Sequence, residues 1–267
     1  ELGCGGSVYN PIYILKLLPY FHKYDIIHTH NTAPQLFAAI ASLVSSVVLC
    51  TTEHTTSNRR RSLKWYRPID KWMYSRYKKI ISISPATTEN LRKHIKKSCP
   101  IDTIPNGINV ERYSAAISVE RKNIGCKNDA FLLMMVAGFR YQKDQDTIIR
   151  ALTLLPKNVQ LCLVGDGDRR DECEELVNRL NLGERVVFTG VRSDIPNVLK
   201  AADVVIMSSH LEGFGLAAVE GMAAGKPVVA SDVVGLGDIV KNYGCVFPQG
   251  DERKLAEIVD CLRNDSN

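Results

Sequence analysis

The chain has 267 residues, 45% apolar and 24% charged, which is enough for one large or two ordinary packed domains of globular composition. No apolar run approaches the roughly 20 residues that span a bilayer. The net charge of +5 is uneven: residues 1–118 carry 16 basic and 7 acidic side chains, whereas residues 119–267 are net acidic, as expected of two units with different partners. The eight cysteines are scattered without a C-x-x-C pair or a metal-site spacing, so a reducing cytoplasm is the expected setting. The opening Glu1-Leu-Gly-Cys-Gly-Gly has neither an initiator methionine nor a signal-peptide pattern, and the sequence is read as part of a longer protein.

In chain order, Asp25–His30 is a short apolar run predicted to be a buried parallel strand. Pro34–Ser46 is alanine- and leucine-rich and predicted helical, Val47–Glu53 is a β-branched strand ending at His54, and 63–78 is a helix. Lys79–Ser84 is a strand, Pro85–Lys97 a helix with proline in its first turn, and Ile101–Ile108 an extended stretch closed by Asn106-Gly107. Residues 109–128 include the charge-sign change and lack an apolar period; the linker is assigned near 107–118, dividing the chain into domains 1–112 and 113–267.

The β/α alternation then restarts. Strands are predicted at 131–137, 159–164, 186–189, 204–207, 227–231 and 245–247. Helices are predicted at 145–155, 169–180, 194–201, 215–224 and 252–263, with glycine turns at Gly225, Gly235 and Gly237. Such alternation argues for two parallel sheets covered on both faces. Ligands of open parallel sheets bind beyond the carboxyl ends of the strands. Those ends carry His30, His54, Arg140, Asp166 to Asp168, Arg192 and Glu212.

Within this frame two carboxylates are oddly placed. Glu212 lies in a turn, and Glu220 sits on a helix of small and apolar residues, where a buried carboxylate needs a partner. Gly213-Phe214-Gly215 precedes that helix, leaving backbone N–H groups and the helix dipole open to an anion such as a nucleotide diphosphate. A salt-bridged glutamate on a buried helix would explain the pattern equally well. Arg140 and Lys143 lie past a strand end and could neutralise a diphosphate without a metal. Asp166-Gly-Asp168 is read as a tight turn rather than a metal site. His54 ends its strand, while His28 and His30 share a strand face; only His30 lies near the strand end. Residues 59–79 hold nine basic side chains, one acid, and Trp65, Tyr66, Trp72, Tyr74 and Tyr77. That mixture suits an anionic membrane surface or a phosphorylated acceptor, or simply a solvated helix; no nucleic-acid motif accompanies it.

The run from Glu212-Gly-Phe-Gly-Leu to Glu220-Gly-Met resembles the Glu-x7-Glu signature of family 4 glycosyltransferases, and Pro105-Asn-Gly-Ile, Leu163-Val-Gly-Asp-Gly and Phe188-Thr-Gly-Val occur in the family's order. The resemblance covers roughly residues 25–260. It implies the GT-B fold, two Rossmann-like doubly wound domains facing across a cleft, and retaining, metal-independent transfer from a nucleoside-diphosphate sugar (UDP- or GDP-linked) to a sugar or lipid-linked acceptor. No cofactor is implied, since the donor is a co-substrate. The resemblance puts Glu220 on the ribose, the Val191–Arg192 backbone by the base, and Glu212 at the transferred sugar. Backbone N–H groups of Gly213, Phe214, Gly215 and Leu216 would meet the diphosphate with Arg140 and Lys143. His54 corresponds to the histidine that faces the reacting sugar.

The chain departs from the family pattern. The arginine five residues before the lysine is here Gly138, with Arg140 only three before Lys143, and the later glycine turn reads Val234-Gly-Leu-Gly-Asp238. The first strand and glycine loop of the N-terminal domain and the C-terminal crossing helix are expected to lie outside the sequence. A nucleotide-sugar epimerase of the same fold, or a catalytically silent sugar-nucleotide binding protein, remains an alternative reading. The expected location is the cytoplasm, at the membrane face if the acceptor is lipid-linked.

Overall fold

The computed structural model describes residues 7, 9–55, 63–95 and 99–265, and the chain divides into two units at Asn106/Gly107. In the first unit the described strands β1 (Ile26–His30), β2 (Val48–Glu53), β3 (Lys79–Ser82) and β4 (Ile101–Thr103) form one parallel sheet in chain order. Helices Ile12–Phe21, Thr32–Ala41, Arg67–Ser75 and Pro85–Ile95 pack on it. Its core gathers Phe21, Ala38, Leu49, Met73, Tyr74, Ile80 and Leu91. The helix Ile12–Phe21 is additional to the elements predicted from sequence, and the helix predicted at 63–78 is shorter than expected. The latter begins as a 3-10 turn at Lys64–Tyr66 and ends at Ser75, before the chain enters β3. The expectation of a buried first strand is also corrected. Strand β1 lies at the sheet edge among the described strands, and Ile26 is 61% exposed.

The second unit carries a six-stranded parallel sheet of order β10-β9-β8-β5-β6-β7 among its described residues. These are β5 (Phe131–Val136), β6 (Val159–Val164), β7 (Val186–Gly190), β8 (Val204–Met207), β9 (Val228–Ser231) and β10 (Cys245–Phe247). Side-chain alternation along the strands feeds a core on each face. Leu133, Met135, Leu161 and Leu163 join one, and Leu132, Met134, Cys162 and Val164 the other. Double coverage is why these strands read as unbroken apolar runs rather than alternating ones. The presumed linker contains the short helix Val110–Ser114, started by Asn109, whose side chain accepts from the Arg112 amide at 3.1 Å. Tyr113 from that helix packs into the second unit's core, so the helix belongs with that unit. The direction of winding reverses between β5 and β8, which pair through Leu133–Val204 and Met134–Val205. The loops leaving these two strands flank the point at which open α/β sheets leave a crevice.

Among the described residues no helix is long and apolar enough to cross a membrane, and the seven described cysteines are free thiols.

Candidate functional site

The loop after β5 carries Gly138, Arg140 and Lys143; the loop after β8 carries Ser208 to Gly215. The reversal of strand order makes these loops neighbours, and Lys143 Nζ forms an ion pair with the Glu212 carboxylate. Several bonds tie the loops together. Ser208 Oγ donates to the Asp144 carbonyl at 2.7 Å, and the His210 amide donates to the Gln142 carbonyl at 2.9 Å. Two residues 69 positions apart in sequence are thereby held as a unit.

Glu212 is shaped from behind by glycine. Gly235 has φ +92°, and a Cβ there would fall 2.7 Å from the Glu212 carbonyl oxygen, so only glycine lets the later turn approach so closely. Gly215 caps the helix Leu216–Ala223 at φ +82°, where a Cβ would strike Leu236 Cδ1 at 2.6 Å. The first N–H groups of this helix have no intrahelical partner, as at any helix start. Gly237, read as part of a turn, starts the one-turn helix Gly237–Val240.

Glu220 departs from expectation. It is half-buried, not buried, because the helix buries only Ala218 and Gly221 against the unit. Its carboxylate receives the Tyr113 hydroxyl, and Tyr113, pushed upward first by burial and then by this bond, ionises only near 12. Tyr113 went unremarked in the sequence because its segment had no apolar period.

Arg140 is exposed, and its side chain makes no hydrogen bond or ion pair among the described residues. It folds back toward Gly138: its Nε lies 4.0 Å from where a Cβ on Gly138 would sit. The guanidinium thus approaches the space that a side chain at 138 would enter. The turn expected at Asp166–Asp168 falls at Asp168–Arg169, closed by the Arg170 amide on the Gly167 carbonyl at 3.1 Å; Asp166, before it, accepts from the Gly167 amide at 2.8 Å and pairs with Arg170 at 3.7 Å. Val191 is exposed after β7, and Arg192 is clasped by Asp194 through bonds of 2.9 and 2.7 Å. That bidentate pair holds the Asp194 carboxyl below the usual carboxylate range.

In the first unit, His30 Nδ1 and His54 Nε2 are 2.8 Å apart, one donating and the other accepting, and the His28 and His30 rings lie 4.4 Å apart. His28 Nε2 meets Thr52 Oγ1 at 2.9 Å. Partial burial, followed by the His30 charge, holds His54 below the usual imidazole range; Glu53 opposes this weakly. Burial and the other two rings lower His28 as well. Under these rings Glu53, 4% exposed, accepts from Gln35 Nε2 and Tyr74 Oη, each at 2.6 Å. The strand alternation that turns Glu53 inward leaves His54 on the outer side. Glu53 was visible as the residue before His54, but its buried partners come from helices distant in sequence. Of the basic segment, residues 59–62 lie outside the described residues. The remainder exposes Leu63, Trp65, Ile69 and Trp72 while burying Asp70, Met73 and Tyr74.

A parallel sheet with a switch point, flanked by a lysine–glutamate pair and a glycine-started helix, defines a doubly wound α/β unit with a crevice at that reversal. Residues 117–267 match the profile of the glycosyl transferases group 1, and residues 3–112 that of glycosyltransferase family 4. The chain belongs to this glycosyltransferase family. It is 30% identical over 247 residues to the Escherichia coli UDP-Gal:alpha-D-GlcNAc-diphosphoundecaprenol alpha-1,3-galactosyltransferase, a match covering 82% of this chain and 61% of the relative. A lipopolysaccharide core biosynthesis glycosyltransferase, LpsD of Rhizobium meliloti, is 30% identical over 72% of this chain and 55% of its own length. The chain therefore spans about three-fifths of the curated relatives it matches. Among solved structures, Anabaena HepE with UDP and glucose aligns at TM-score 0.87 and 26% identity, covering 98% of this chain and 74% of HepE. Sucrose-phosphate synthase of Thermosynechococcus elongatus aligns at 0.83 and 27%, covering 96% and 69%. The fold is GT-B.

Proposed function

We propose that the second unit binds a nucleoside-diphosphate sugar at the β5/β8 switch point, and that the whole protein transfers the sugar, with retention and without a metal, to a sugar or lipid-linked acceptor. The observation that carries this reading is the Lys143–Glu212 pair, because it joins a phosphate-sized cation to a carboxylate beside a helix start. In this scheme the anomeric C–O bond to the diphosphate breaks as the C–O bond to the acceptor forms. The acceptor hydroxyl proton leaves with the phosphate. Lys143 and Arg140 meet the charge that develops on the leaving diphosphate, as do the backbone N–H groups of Gly213, Phe214, Gly215 and Leu216. Lys143 must then exchange Glu212 for phosphate, which frees Glu212 for the hydroxyls of the sugar. Glu220, steadied by Tyr113, takes the ribose; the backbone of Val191 and Arg192 lines the base. His54 of the first unit is assigned a part in the transfer step of the whole protein.

UDP is the donor base supported by relatives: the HepE structures hold UDP and UDP-glucose, and the E. coli relative's name specifies UDP-Gal and a diphosphoundecaprenol acceptor. A lipid-linked acceptor also accounts for the basic face bearing Trp65, Ile69 and Trp72, suited to an anionic membrane surface at the cytoplasmic side. The test is Glu220→Ala in the intact protein, read by calorimetric UDP binding and by product formation with and without acceptor. Expected are a loss of UDP affinity of about tenfold or more, from removing a charged hydrogen-bond acceptor, and acceptor-dependent product in the wild type. Unchanged binding and transfer would refute the assignment, and donor conversion without acceptor would identify an epimerase.

A further inference from the structure

His210 belongs to none of the expected donor contacts, yet it lies in the Glu212 loop and reaches across to the Lys143 loop. Its Nδ1 lies 3.4 Å from the Asp144 carboxylate, to which it donates when it carries the proton, and 3.0 Å from Gln249 Nε2, from which it accepts when it does not. Its ring packs on Tyr141 with centroids 4.9 Å apart. Asp144 is itself unusual: 3% exposed, with backbone at φ +50°, ψ +54°, a left-handed conformation that costs a non-glycine residue energy. It persists because it is over-determined. Asp144 accepts from Thr147 Oγ1 at 2.6 Å, caps the helix Gln145–Leu152, and offers its carbonyl to Ser208.

We infer that His210 is a positioning residue, which with Asp144 and Gln249 clasps the Lys143 loop to the Glu212 loop and so fixes where the diphosphate-binding cation stands. This rests on the reading that a nucleoside diphosphate binds there. The geometry is economical: Asp144 follows Lys143 directly, and His210 precedes Glu212 by two residues. Holding the Asp144–His210 ends together limits how far Lys143 and Glu212 can part. Gln249, in the loop before the helix Glu252–Asp265, closes the clasp from a third element. The charged group against the ring is Asp144, which in turn feels Asp146. The important atom is Nδ1, which bonds Asp144 when protonated and Gln249 when not, so either tautomer ties the loop to a second element. Asparagine places an amide near the position of Nδ1; glutamine places one near Nε2 instead.

That difference supplies the test. In the ligand-free protein, amide hydrogen exchange is measured at His210 and Lys143, whose N–H groups donate to Gln142 and Arg140. In His210→Ala and His210→Gln, exchange at both is expected to quicken about tenfold, while His210→Asn holds near the wild-type rate. Calorimetry with UDP follows the same order, with affinity about five- to tenfold weaker in the alanine and glutamine variants and restored in the asparagine variant. Equal exchange in all three variants and wild type would overturn the clasp, whatever UDP does. Altered exchange with unaltered UDP affinity would overturn its link to the diphosphate. Failure of wild type to bind UDP would count against the donor reading, leaving the clasp to be judged by exchange.

Discussion

Replacing Lys143 by methionine separates structure from function at the pair on which the site is built. Lys143 and Glu212 are 26% and 15% exposed in their side chains, between an exposed pair, where coupling is about 0.2–1 kcal/mol, and a fully buried one, where stranding a partner costs about 3–5 kcal/mol. A coupling of about 1–2 kcal/mol is therefore expected from a cycle of Lys143→Met, Glu212→Gln and the double variant in urea unfolding. Ligand binding adds a sign test. Lys143→Met removes a cation from the diphosphate, and transfer should fall about 10²–10³-fold, with weaker UDP binding. Glu212→Gln removes Lys143's competing partner, so UDP binding should tighten about two- to threefold while transfer still falls. Coupling within about 0.3 kcal/mol of zero, or UDP binding that weakens equally in both single variants, would refute the reasoning.

Tyr113 ionises near 12 instead of 10, so its folded form keeps its proton after the unfolded form has lost it. Stability is unaffected well below pH 10 and declines by roughly 2–3 kcal/mol as pH rises toward 12; unfolding at pH 9 and 11 should show a smaller decline in Tyr113→Phe. In the first unit, Asp70 is fully buried and its Oδ2 meets His94 Nε2 at 2.8 Å. Asp70→Asn is expected to cost about 2–3 kcal/mol at pH 7 by urea unfolding, and a cost below about 0.5 kcal/mol would show that the contact is not structural. The surface at Trp65 and Trp72 should bind vesicles containing phosphatidylserine more tightly than neutral ones, and less so at high salt. Trp65→Ser with Trp72→Ser should weaken that binding about tenfold in co-sedimentation, whereas binding indifferent to lipid charge and salt would exclude a membrane role.

Most of the strand positions and the family were legible in the sequence because both are local. A β-branched run between turns reads as a strand whatever surrounds it, and Glu212 and Glu220 declare their spacing by number alone. The second unit's strands were especially plain, since burial on both faces leaves few polar positions, such as Gln160 and Ser231. Helix ends were less so: the 63–78 segment stops at Ser75 because the chain must turn into β3, a demand made by the sheet rather than by the segment. What the sequence could not contain was partnership. Glu220 was taken for a buried charge because its neighbours are apolar, yet only two residues of its helix face inward and its partner is Tyr113. Nothing near Lys143 announces Glu212, and nothing near His210 announces Asp144. Those pairings exist because strand order reverses between β5 and β8 and brings two distant loops to one edge of the sheet. The residue types were therefore determined locally, and which of them meet was decided by the topology of the sheet.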